Sequence, residues 1–342
     1  MTTLIIGPGA IGRLLACRLA AGGQSVRLLG RRPLPTIQTL TSPDGTTQRL
    51  ELATTTEPRL ACVDVDQVML TTKAYAARAA FAAVADHLPA ATPLVLWQNG
   101  LRVQRPLTDT WSGPVLCAST TEGAFIRADD SVVHAGKGQT VIGHLDGGLD
   151  GHPGEGHGPH TQPLRTDALQ TQALQTQALQ TQALASSLAT TLSAAGLATE
   201  AVDNIATRLW HKLAVNAAIN PLVARYRLRN GELRGHPYRD MVDATVDEVA
   251  QILAALEIPA PAIDVPSINI AANDVNDGNR AWRALVWQVI ERTAANRASM
   301  LQDIEAGRPT EHDAILGPLR EAATRLGLPC PQLDAHWRFL NA

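Results

Sequence analysis

Lys212, Asn216 and Asn220 recur every four residues inside an otherwise apolar run, Leu209-Trp210-His211-Lys212-Leu213-Ala214-Val215-Asn216-Ala217-Ala218-Ile219-Asn220. On a helix, each step of four turns the side chain by about 40°, so the three span about 80° of arc and form one polar stripe. A lysine held on such a greasy element loses hydration, which lowers its pKa and suits it to proton donation. Pro221 closes the stripe. The alternative is that this face simply meets water.

A second chemistry is written at the N-terminus. Gly7-Pro8-Gly9-Ala10-Ile11-Gly12 is a GxGxxG that follows the apolar run Leu4–Ile6 and opens an Ala-rich segment. In that context the first glycine makes the tight turn and the second lets backbone approach a pyrophosphate. The third lets the helix pack closely on a sheet, and the phosphates sit on the helix N-terminus. About 20 residues further on, NAD enzymes carry an Asp or Glu for the ribose 2′-hydroxyl. Here the stretch is Val26-Arg27-Leu28-Leu29-Gly30-Arg31-Arg32, without an acid. A guanidinium pairs bidentately with a 2′-phosphate, so NADP(H) is expected as cofactor, with Arg31 favoured over Arg32 as its contact.

These groups need elements to position them. Short apolar runs at Leu4–Ile6, Val26–Leu29, Val68–Thr71, Leu94–Trp97, Val115–Ala118 and Val141–Gly143 read as strands, with Ala-rich helical segments at 10–22 and 74–88. That alternation predicts an α/β fold with a Rossmann-type parallel sheet, followed by an all-helical C-terminal domain. The helical periodicities lie at 205–225, 237–257, 279–304 and 311–326. The expected domains are 1–203, binding NADP(H), and 204–342, carrying substrate and catalysis. A low-complexity insertion is expected at about 146–185, with Gly, Pro and His at 146–163 and then TDALQ, TQALQ, TQALQ, TQALA. A period of five turns Leu169, Leu174, Leu179 and Leu184 about 140° from one another, so a weakly helical or mobile segment without a coherent face is predicted. His144, His152, His157 and His160 lack rigid ligand spacing, so no metal is expected.

Composition excludes several classes. The 342 residues carry 29 Lys+Arg and 32 Asp+Glu, a formal charge of −3, which gives no basic footprint for nucleic acid. No run of about 18 apolar residues suggests a membrane span, and the N-terminus enters a strand without a basic leader. Cys17, Cys62, Cys117 and Cys330 lie far apart with no CxxC pair, which fits reduced thiols and a cytoplasmic location.

In order along nearly the whole chain outside the insertion, the sequence reads GPGAIG, TTKAY around Lys73, QNG at Asn99, TTEGA ending at Ala124 and HAGKGQTVIG. It continues with LWHKLAVNAAINPL, RNGEL, RASMLQDIEAGRPTEHD and GLPCP. This series resembles the ketopantoate reductase family (2-dehydropantoate 2-reductase). The resemblance implies NADPH-dependent reduction of 2-dehydropantoate to pantoate, in pantothenate biosynthesis, by hydride transfer to a 2-oxo acid. It implies that Lys212 is the catalytic proton donor and Glu311 a carboxylate near both cofactor and lysine. Asn216, Asn220, Asn230 and Ser299 match substrate-binding positions, and Asn99 lies between nicotinamide ribose and substrate. Ala124 matches a backbone contact to the cofactor and Lys73 a lysine beside the nicotinamide. Read without the resemblance, Glu311 is a helix-end cap and Ser299 a small packing residue. Ala76 stands where many members have Gln. Another branched 2-oxo acid as substrate, or a non-catalytic NADP(H) sensor, are the alternatives, and a homodimer is left open.

Overall fold

The computed structural model describes residues 1–145, 165–262 and 275–342, with side chains in the helices opening at Arg165 and Val275 described from Ala178 and Gly278. The chain divides into two units. Residues 1–98 and 103–145, with the helix that opens at Arg165 and the strand after it, form the first. Residues 99–102 and 206–342 form the second.

The first unit runs β1 (Thr2–Ile6), α1 (Ala10–Ala21), β2 (Ser25–Leu29), β3 (Ile37–Thr41), β4 (Thr47–Glu51), β5 (Ala53–Thr55), α2 (Pro58–Ala61), β6 (Gln67–Leu70) and α3 (Ala74–Ala85). It continues with β7 (Leu94–Leu96), α4 (Gln104–Thr110), β8 (Val115–Thr120), β9 (Gly123–Ile126), β10 (Val132–Gly136), β11 (Thr140–His144), α5 (Arg165–Ala194) and β12 (Thr199–Asn204). Eight strands form one sheet in the order β12-β11-β8-β7-β6-β1-β2-β5. All its pairings are parallel except β8 with β11. From β5 through β8 this is the 3-2-1-4-5-6 order of a dinucleotide fold, and the chain reverses direction across the sheet beside β1. Buried Leu4, Ile5, Val68, Met69, Leu70, Val95 and Leu96 make these strands near-continuous apolar runs, as sheets covered on both faces require.

A second sheet, β4-β3-β10-β9, was not expected. Its strands are short and mostly polar on one face (Thr47–Glu51 has no fully buried residue), so they carry little hydrophobic signal. Helix α1 packs on this sheet as well as on β2, and it buries Leu14, Leu15 and Leu19. Arg13 of the same helix is buried too, donating to Gln38 Oε1 at 2.6 Å and to Asp130 Oδ1 at 2.7 Å.

The repeat region takes the helical alternative, with a buried face at its C-terminal end that was not expected. Residues 165–194 form one helix. Its C-terminal part regains a helical period: Thr181, Ala185, Leu188 and Leu192 are buried, the last three in the core of the first unit. Within the repeat, Leu179 is exposed, while Leu184 packs against that core. Residues 146–163, including His152, His157 and His160, lie outside the described residues.

The second unit comprises α6 (Ala206–Tyr226), a 3-10 turn (Asn230–Arg234), α7 (Tyr238–Ala255), α8 (Val275–Arg292), α9 (Ser299–Glu305), α10 (His312–Leu326) and α11 (Pro331–Leu340). Val242, Val246, Val249 and Leu253 on α7 and Trp282, Val286 and Ile290 on α8 are buried at spacings of three and four. The single helix expected over 279–304 is two. Around Thr293 the backbone leaves the helix and bonds elsewhere: Asn230 N–H donates to Asn296 O and Gly231 N–H to Ala294 O, both at 3.0 Å. Those long-range bonds compete with helix continuation. Helix α11 was also missed. Among the described residues no helix is long and apolar enough to cross a membrane.

Candidate active site

The glycine turn sits at the C-terminal end of β1, where the strand order reverses. Gly7 has φ +95°, and a Cβ there would lie 2.5 Å from Thr72 Cγ2. A Cβ at Gly12 would lie 2.4 Å from Thr71 Oγ1, which itself donates to Gly7 O at 2.7 Å and Ile6 O at 3.0 Å. Gly9 is the opposite case: a Cβ there meets nothing within 4 Å. So two glycines serve close packing, while the third leaves an open approach to the start of α1. That helix has Gly9 as its N-cap, no side-chain cap bond and no acid in its first turn. Its free amides and positive end fit a pyrophosphate.

Gly30, at the end of β2, is buried, and a Cβ on it would lie 3.2 Å from Pro8 Cγ. The next residues, Arg31 and Arg32, are exposed, so they leave the strand directly beside the glycine turn. Lys73 is half-buried at the N-cap of α3, one residue after the Thr72 that abuts Gly7. Ala124 lies in β9 and packs on the core of the first unit. The chemistry available here fits a dinucleotide.

In the second unit, Lys212, Asn216 and Asn220 share helix α6 as expected. Burial removes hydration from the Lys212 ammonium and pulls its pKa down to about 8, against the partly compensating charge of Glu311. As a whole residue Lys212 is half-buried. Glu311 occupies the N-cap position of α10 but makes no capping bond. Its buried carboxylate instead accepts from Asn99 Nδ2 at 3.2 Å. Lys212, Glu311 and Asn99 are thus electrostatically and geometrically linked.

Asn220 is buried and Asn216 half-buried, and neither side chain has a hydrogen-bond partner among the described residues. Asn230 opens the 3-10 turn and donates from Nδ2 to Thr293 Oγ1 at 2.8 Å, whereas its Oδ1 is buried without a partner among the described residues. Ser299 is the exposed first residue of α9, which packs on α6. A row of amides with spare hydrogen-bonding capacity suits a small polar ligand.

Three contributors were not singled out from sequence. Thr71 and Thr72 wedge the glycine turn, and the TTK triplet was their only signal. Gly100, next to Asn99, has φ +78°, and its backbone runs so close to α10 that a Cβ would fall 2.0 Å from Ala314 O. Leu101 N–H donates to that same carbonyl at 3.1 Å, which fixes the Asn99 loop on the helix headed by Glu311. The cysteines are chemically quiet: burial raises the thiol of Cys17 to about 11 and that of Cys117 to about 12.

Comparison with known proteins agrees with this geometry. The family profile described as ketopantoate reductase PanE/ApbA matches residues 3–147, and its C-terminal counterpart matches 204–342. The 2-dehydropantoate 2-reductase of Shigella flexneri is 31% identical over 97% of this chain and 91% of its own length. That of Vibrio cholerae is 29% identical over 100% and 97%. Among solved structures, a PanE/ApbA family ketopantoate reductase from Ralstonia eutropha superposes with TM-score 0.75 at 22% identity, covering 100% of this chain and 97% of its own. A D-mandelate dehydrogenase bound to NADH and anilino(oxo)acetate gives 0.73 at 20% identity, covering 100% and 97%. A dimeric ketopantoate reductase from Staphylococcus aureus gives 0.67 at 19%, covering 100% and 98%. The chain belongs to the ketopantoate reductase family, NAD(P)-dependent oxidoreductases that act on a CH–OH or ketone group.

Proposed function

We propose that this protein reduces 2-dehydropantoate to pantoate with NADPH, the pantoate-forming step of pantothenate biosynthesis, with Lys212 as proton donor. The observation that carries the reading is the desolvated ammonium of Lys212, its charge favoured by Glu311, set on one helix with two asparagines whose side chains lack hydrogen-bond partners among the described residues. When bound, the reduced nicotinamide supplies the hydride to the ketone carbon. Lys212 hydrogen-bonds the ketone oxygen, stabilises the negative charge that develops there and then delivers its proton to it. Glu311 favours the charged form of Lys212 and holds Asn99. Asn216, Asn220, Asn230 and Ser299 bind the carboxylate and the distal hydroxyl, which orients the ketone. Gly7, Pro8, Gly9, Ala10, Ile11 and Gly12 receive the pyrophosphate, and Arg31 the 2′-phosphate. Lys73 and Ala124 complete the cofactor contacts.

The likeness to a dimeric relative supports a homodimer, and a biosynthetic role supports a cytoplasmic location. The deciding experiment is steady-state turnover with NADPH and ketopantoate, set beside trimethylpyruvate, the same 2-oxo acid without its hydroxyl. Efficient reduction of ketopantoate supports the proposal. Reduction confined to the hydroxyl-free acid, or none, contradicts it.

A further inference from the structure

The environment of Asn230 carries information about hydrogen-bond direction. Thr293 has a single hydroxyl proton, and its Oγ1 lies 2.7 Å from the carbonyl of Val289. Two oxygens at that separation repel unless a proton lies between them, so the Thr293 proton is committed to Val289. Toward Asn230, Oγ1 can therefore only accept. The group facing it at 2.8 Å must be the amide Nδ2, a donor. That fixes the opposite edge of the amide as carbonyl Oδ1, which is buried and lacks a partner among the described residues.

The base of the side chain is held as firmly as its tip. Asn230 N–H donates to Asn296 O and Gly231 N–H to Ala294 O, both at 3.0 Å. Gly231 passes so close to this turn that a Cβ would lie 2.7 Å from Ala294 Cβ. Arg229 adds a side-chain bond to Ala295 O at 2.9 Å. The segment after α8 thus grips the 3-10 turn on three consecutive residues, and Asn230 has little freedom to turn its amide over. A buried acceptor left empty costs stability, and it rewards a ligand that brings a donor to it.

We propose that Thr293 is a specificity-determining positioning residue: by accepting from Asn230 Nδ2 it presents Oδ1 as an acceptor, which selects a 2-oxo acid whose distal group is a hydroxyl donor. This rests on the reading of Asn230 as a substrate-binding residue. It also narrows that reading, because an acceptor here repels a carboxylate, so the carboxylate belongs to the other polar groups. Thr293 touches no substrate; it acts through Asn230.

The test compares kcat/KM for ketopantoate and trimethylpyruvate in the wild type, Thr293→Val and Thr293→Ser, with a thermal melt of each. The wild type should favour ketopantoate by about 100-fold or more, as sites built around a substrate hydroxyl do. In Thr293→Val that ratio should fall at least about tenfold, chiefly through KM, because nothing then dictates the amide orientation. Thr293→Ser, which keeps the hydroxyl, should restore it. A ratio unchanged in Thr293→Val, or equally lost in Thr293→Ser, overturns the role of Thr293 while leaving the proposed function intact. Should Thr293→Val fail to fold, the wild type decides with the analogue bearing fluorine in place of hydroxyl, which cannot donate. Turnover as poor as that of trimethylpyruvate supports the assignment, and turnover equal to that of ketopantoate overturns it. A wild type that does not reduce ketopantoate overturns the proposed function and this inference with it.

Discussion

Asn99 Nδ2 donates to Glu311 Oε2 at 3.2 Å, joining a loop to the head of a helix 212 positions away in sequence. The carboxylate so held is the charge that opposes desolvation of the Lys212 ammonium. The acidity of Lys212 therefore depends on a residue that sequence alone reads as a helix cap. Replacing Glu311 by Gln keeps a partner for Asn99 but removes the charge. The Lys212 pKa should then fall below its present value of about 8. The expected readout is a basic limb of the kcat profile displaced toward lower pH, with activity at neutrality reduced; an unmoved limb contradicts the coupling.

The unaltered enzyme makes its own pH prediction. With Lys212 as the proposed proton donor, kcat for ketone reduction should fall as pH rises through about 8, while oxidation of the hydroxy acid should rise over the same range. Stability responds in the opposite sense. The folded pKa lies below the ordinary 10.5, so the unfolded chain binds more protons between about 8 and 10.5, and this group's contribution to stability increases across that window.

Gly9 separates binding from folding. An added Cβ meets nothing within 4 Å and the residue has φ −77°, so Gly9→Ala should leave the apo melting temperature essentially unchanged. It should nonetheless raise KM for NADPH by about tenfold or more, because the methyl occupies the pyrophosphate approach. Gly7→Ala, at φ +95° against Thr72, should instead lower the melting temperature. Equal effects of the two on Tm would contradict the division of roles.

Arg31 should set cofactor preference. Its exposed guanidinium leaves β2 beside the glycine turn, and no acid follows. The kcat/KM ratio of NADPH to NADH should be well above one and should shrink in Arg31→Ala by about tenfold. A wild type that prefers NADH would remove this arginine from the account.

Much of this was legible in the sequence, for physical reasons. The six apolar runs of the main sheet and the GxGxxG are local, high-contrast signals, and all six fall on strands. The polar stripe of α6 is likewise a local periodicity. What was illegible depends on distant partners. The second sheet hides in short polar strands such as Thr47–Glu51, and its tie to α1 is the buried Arg13, which reads as a surface residue. The break between α8 and α9 contains neither Gly nor Pro; bonds from Asn230 and Gly231 make it. The helical face of α5 emerges only toward the end of the repeat, where Ala185, Leu188 and Leu192 reach the core.

A remote histidine supplies a stability test. His336 is 2% exposed, and burial, aided by Arg225, lowers its pKa to about 4 from 6.5. Its neutral form is fully present above pH 6.5. Between 6.5 and 4 the unfolded chain binds the extra proton, so unfolding free energy should fall by up to about 3 kcal/mol as the pH is lowered. Denaturant titrations of wild type and His336→Gln across that range should diverge accordingly, and parallel curves would contradict the assignment.

The most direct test of the central claim is kcat of Lys212→Ala on ketopantoate with NADPH, read beside NADPH affinity and a thermal melt. Removal of a positioned general acid should lower kcat by about 10²–10⁴, with cofactor affinity nearly unchanged because the glycine turn and Arg31 remain. A variant that keeps more than about a tenth of wild-type kcat, or one whose melting temperature and cofactor affinity fall together, would contradict Lys212 as the proton donor.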